Sequence, residues 1–66
     1  MGNLIEALQT ELKRNRELLK LYESIGPAGA IGSVMIRQDI AVGEDAISQG
    51  DIVKELQIFE KLKNNK

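Results

Sequence analysis

The side chains able to do chemistry are few, and their spacing does not bring them together. The chain has neither His nor Cys, which removes the commonest general base, the thiolate nucleophile and the usual zinc ligands. Its hydroxyl groups are Thr10, Ser24, Ser33, Ser48 and Tyr22, and none of the serines sits in the G-x-S-x-G elbow that exposes a nucleophile. Glu44 and Asp45 are adjacent carboxylates. Successive helix positions project about 100° apart, so this pair does not converge on one ion, and it reads as a solvated helix edge. Only a carboxylate cluster built across an oligomer seam would change that. The expectation is a non-enzyme with no catalytic, cofactor-binding or metal-binding residue and no cofactor.

Two backbone patterns call for a nucleic-acid or nucleotide test. Gly29-Ala30-Ile31-Gly32 matches a bare G-x-x-G, the loop that clamps the backbone in one class of RNA-binding domain. That loop belongs to an α/β fold, and no stretch here reads as a strand. There is no G-x-G, and Ser33 follows Gly32 without the lysine that a phosphate loop requires. A packing corner is the better reading. The second pattern spans residues 42–62, where Ala46, Gly50 and Leu56 occupy the Ala, Gly and aliphatic places of a helix-turn-helix, with Phe59 following. Its recognition helix would expose Lys54, Glu55, Gln57 and Lys61. Asp51 stands where that motif is normally apolar, and the exposed helix as a whole carries nearly as many acids as bases. A small DNA-binding regulator is therefore the alternative reading, not the first.

Asn15 is the sharpest single residue. Ile5, Leu8, Leu12, Asn15, Leu19 and Tyr22 are spaced 3, 4, 3, 4, 3, the a and d positions of a heptad, and Asn15 alone among them is plainly polar. It could fix register by pairing with a symmetry mate across a helical seam. Alternatively, local rotation of the stripe would leave it at a wet edge. Tyr22 reads as a core ring with a solvated hydroxyl.

These residues lie on a stretch without Gly or Pro, which predicts a helix over 4–25. Asn3 suits the N-cap, Glu6 follows in capping-box register, and Gly26-Pro27 ends the helix. Leu4, Leu18, Leu21 and Ile25 widen its apolar face beyond a two-stranded seam. Lys13, Arg14, Arg16, Glu17, Lys20 and Glu23 form a solvated polar side. After the small-residue corner from Gly26 to Ser33, a second helix is predicted over 30–49. It is apolar on two sides. One row is Ile31, Val34, Met35, Val42 and Ala46; the other is Ile36, Ile40, Gly43 and Ile47. Gly43 costs about 1 kcal/mol against Ala in a helix interior, a cost that a close helix crossing would justify. Gly50 and Asp51 then mark a helix stop and a new N-cap. A third helix over 52–63 is expected to bury Ile52, Val53, Leu56, Phe59 and Leu62, with Asn64 and Asn65 frayed.

The bounds set by composition agree. Sixty-six residues make one small domain, and such a chain buries only about 60% of the surface its unfolded form exposes. Without disulfides or zinc, well-packed helices and self-association remain. Net charge is -1, from 9 basic and 10 acidic residues, so a partner held through phosphates is not expected. Aromatic residues are 3% of the chain, too few for base-stacking platforms. No apolar run approaches the roughly 20 residues of a membrane span, and no signal peptide is read at the N-terminus. Met1-Gly2 is not read as a myristoylation site, because Glu6 stands where Ser or Thr is wanted.

Arg14-Asn15-Arg16-Glu17-Leu18-Leu19, the run Tyr22 to Ala30, Met35-Ile36 and Gly50-Asp51 resemble short helical proteins encoded in bacterial and prophage genomes. The resemblance touches roughly half the chain. It implies a bacterial or phage cytoplasmic origin and assigns no site residue.

The expected architecture is all-α: a long helical hairpin with a shorter third helix, assembled as an oligomeric bundle. A third helix of roughly 18 Å against a first of roughly 33 Å leaves part of the first helix's stripe uncovered. A second copy would cover it, and the symmetric dimer is the commonest closed form. The expected interface is Leu8, Leu12, Asn15, Leu19 and Tyr22 on helix 1 with Ile40, Gly43 and Ile47 on helix 2. The expected function is that of an interaction or structural protein whose partner is itself, as homodimer or higher oligomer, or another helical protein.

Overall fold

A computed structural model describes residues 3–66, so the Met1-Gly2 motif lies outside the described residues. Three α-helices follow one another: α1 (Leu4–Ser24), α2 (Ala30–Gln49) and α3 (Ile52–Asn64), with a 3-10 turn at Gly26–Gly29 between the first two. The fold is all-α, and no strand occurs among the described residues.

Local signals account for the helix ends. The Asn3 side-chain oxygen accepts from the Glu6 N–H at 2.8 Å, and Asp51 accepts from the Lys54 N–H at 3.1 Å. Each satisfies a donor that the first helical turn leaves open. Gly50 closes α2 with φ 65°, the left-handed conformation in which a side chain would be strained. Pro27 stands in the 3-10 turn between α1 and α2.

The three helices pack pairwise around Leu8, Leu12, Ile36, Ile40, Ala46, Ile58 and Leu62. Gly43 lies where α2 meets the other two. A Cβ built there would stand 2.8 Å from Leu12 Cδ2 and 3.4 Å from Leu62 Cδ1. The glycine therefore sits at the close crossing that its place in a helix interior suggested.

The packing of α3 departs from the expectation. Glu55, Ile58 and Leu62 are buried and Phe59 is half-buried, whereas Ile52, Val53 and Leu56 are 64%, 63% and 51% exposed. The helix is turned away from its most apolar first turn. Leu62 is fully buried beside Gly43, and residues four and seven positions before it, Ile58 and Glu55, share its face. Glu55, expected on the outside, is 3% exposed.

Nor is the end of α3 frayed. Arg14 donates to the carbonyls of Leu62 at 2.6 Å, Asn65 at 2.9 Å and Lys63 at 3.3 Å. Tyr22 donates its hydroxyl to the Lys66 carbonyl. The segment after α3 thus continues along α1 as far as Tyr22, and it covers much of the length that a shorter third helix was expected to leave open.

Candidate interaction surface

Every residue expected at an oligomer seam lies against the protomer's own core. Leu8, Leu12, Asn15, Ile40 and Gly43 are buried. Leu19, Tyr22 and Ile47 are partly buried and pack against the core. The heptad stripe of α1 faces α2 and α3 of its own chain. These side chains are not offered to a second copy, and the expected seam is corrected on that point.

Asn15 illustrates the correction. It is 0% exposed, so it lies at no wet edge, and its amide is occupied within the protomer. Nδ2 donates to the Glu11 carbonyl at 2.8 Å and the Leu62 carbonyl at 3.1 Å. Oδ1 accepts from Asn65 Nδ2 at 3.0 Å. The Asn65 amide also donates to Asp39 Oδ2 at 3.1 Å, and Lys61 Nζ pairs with Asp39 Oδ1 at 3.1 Å. This network joins all three helices at the end of α3. A buried amide that fills its donor and acceptor sites this way meets the requirement that buried polar groups be paired. Sequence reasoning marked Asn15 but missed its partners. The available signal was a second asparagine, Asn65, just past a helix whose last carbonyls need donors.

The adjacent carboxylates have separate partners. Glu44 turns toward α1 and accepts from Arg16 at 2.9 Å, while Asp45 accepts from Gln49 at 3.4 Å. The Ser24 and Ser33 hydroxyls donate to the carbonyls of Leu21 and Ala30, one turn back along their own helices. Among the described residues no group of three potential metal ligands comes together. In the G-x-x-G corner, a Cβ at Gly29 would meet the Tyr22 carbonyl and one at Gly32 would meet the Tyr22 ring. Those glycines allow α2 to approach α1.

The helix-turn-helix pattern fits the packing only in part. Ala46 is fully buried and Gly50 turns the chain. Leu56, which the motif requires in the core, faces solvent. Lys61 is engaged with Asp39, and Glu55 is buried.

What stands free is apolar. Among the described residues ten large hydrophobic side chains are exposed, against seven hydrophobic residues in the core. On α2 Ile36, Ile40 and Gly43 are buried and Ile47 is partly buried; of the other row Ala46 is buried too, but Ile31, Val34, Met35 and Val42 stay outside, 79%, 57%, 53% and 42% exposed. Leu21 and Ile25 are exposed at the end of α1, and Ile52, Val53 and Leu56 at the start of α3. Single exposed hydrophobics are ordinary on soluble proteins; a row of them at helical spacing is an apolar face without a partner in the protomer.

No protein-family model, curated protein or solved structure matches this chain. The surface must be interpreted from its own chemistry. Among the described residues no helix is long and apolar enough to cross a membrane.

Proposed function

We propose that this chain is a non-catalytic helical interaction protein that associates with itself through the outward row of α2. One observation carries the reading: Ile31, Val34, Met35 and Val42 remain more than two-fifths exposed on a helix whose opposite side is fully engaged in the core. Burying a Val, Ile or Met side chain is worth about 1.5–3 kcal/mol relative to full exposure. Covering this row on two copies therefore supplies a driving force comparable to the stability of a small domain. The two-sided apolar pattern of α2 supports the same reading, since one side already has its partner within the chain.

Sedimentation equilibrium of the wild type and of Met35→Asp tests it. The expected result is a dimer or higher oligomer for the wild type and a shift toward monomer for the variant, with unchanged helical circular dichroism. Both side chains at position 35 face solvent in the protomer, so a fold defect is not expected. A wild type that remains a compact monomer across the concentration range overturns the proposal.

A further inference from the structure

The geometry points to a second copy of this chain as the occupant of the groove between α2 and α3, with the two-fold axis running along the groove. This rests on the self-association reading above and adds the orientation of the partner. The argument is one of charge. The groove's charged lining divides by helix: Asp39 and Asp45 come from α2, Lys54 and Lys61 from α3, over a floor that includes Val42 and Ile58. Asp39 is buried and already paired with Lys61, so the free charges are Asp45 on one edge and Lys54 on the other.

The charges also sit at matched levels. Gln49 donates to Asp45 at 3.4 Å and accepts from Lys54 at 3.4 Å, so this pair lies at the turn end of the groove, held apart by an amide. Asp39 and Lys61 pair directly at 3.1 Å at the other end. Among the described residues neither Asp45 nor Lys54 makes an ion pair. Both are exposed.

Two identical grooves can meet face to face in two symmetric ways. An axis across the groove stacks α2 on α2 and α3 on α3 with their levels reversed, which brings Asp45 and Lys54 opposite the partner's already paired Asp39–Lys61 level. An axis along the groove sets α2 of one copy over α3 of its partner at the same level. Asp45 then meets the partner's Lys54 twice, once on each side of the axis. Complementary charge selects the second arrangement, because only it gives Asp45 and Lys54 an unpaired partner of opposite sign.

Charge reversal tests the orientation. Asp45→Lys and Lys54→Asp each place like charges at both contacts, and each is expected to weaken self-association by about tenfold or more. The two variants mixed in equal amounts restore opposite charges at both contacts, so a mixed dimer is expected in native mass spectrometry. The doubly exchanged chain is expected to associate again as the wild type does. Each side chain holds only a long contact to Gln49, so circular dichroism should report an intact fold in both. Single variants that associate as well as the wild type, or a mixture that gives no mixed dimer, overturn the orientation while leaving self-association standing. A monomeric wild type removes both.

Discussion

Asn65 donates its side-chain amide to Asn15 at 3.0 Å, joining the residue just past the end of α3 to the buried middle of α1. The pair forms where three helices converge and no water reaches Asn15. A double-mutant cycle on Asn15→Ala and Asn65→Ala should therefore show coupling. Asn15→Ala is expected to cost about 1–3 kcal/mol in urea denaturation, because buried carbonyls lose a donor. The double variant should be less destabilised than the sum of the two singles, by about 0.5–1.5 kcal/mol. Strict additivity would mean that the two amides do not meet in solution.

The setting of α3 is tested by two aliphatic residues two positions apart. Ile58→Ala removes a side chain that is 5% exposed in the core and is expected to cost about 2–5 kcal/mol. Leu56→Ala trims one that is 51% exposed and is expected to change protomer stability by no more than about 0.5 kcal/mol. The reverse order would restore the face expected from the sequence, and with it the helix-turn-helix packing. Thermal or urea unfolding at a concentration that favours monomer makes the comparison.

The helix ends were legible because their signals are local. Asn3, Gly50 and Asp51 each act within one turn of where they stand. From Leu8 to Tyr22 the heptad of α1 marked residues that meet other helices, while Ile5 is exposed. A heptad does not say whether those helices belong to the same chain, and here Leu8 and Leu12 are covered within the protomer. The face of α3 was not legible, because Ile52, Val53 and Leu56 are more apolar than Glu55. The face buried instead, Glu55, Ile58 and Leu62, packs against helices distant in sequence, with Leu62 beside Gly43. Asn15 likewise needed a partner some fifty residues away, which no periodicity reveals.

Glycines at the α1–α2 approach differ in what an added methyl meets. At Gly29 it meets the backbone carbonyl of Tyr22, which can move only with the helix; at Gly43 it meets the end of the Leu12 side chain. Gly29→Ala is expected to destabilise by about 1–3 kcal/mol, the usual range for overpacking. For Gly43→Ala, the gain in helix propensity of about 1 kcal/mol offsets part of the clash, so the net loss should be smaller. Chemical denaturation of both variants measures the order, and a larger loss at Gly43 would mean that Leu12 cannot shift.

Arg14 provides the last test, since one guanidinium serves three carbonyls at the end of α3 and Glu11 Oε2 at 2.8 Å. Its fork of donors is what allows this; an ammonium is a point charge and cannot reproduce the spread. Arg14→Lys keeps the charge near the negative end of the α3 dipole but loses the simultaneous contacts. The Arg14 side chain is 41% exposed, so water compensates part of the loss, and the expected cost is about 1 kcal/mol for the global fold. The larger effect should be local. Amide hydrogen exchange at Asn64, Asn65 and Lys66 is expected to accelerate well beyond the change at Leu8 or Leu12, because the segment after α3 loses its clasp while the core keeps its packing. Equal acceleration throughout would show that Arg14 acts only on global stability and that the end of α3 is held by Asn15 and Tyr22 alone.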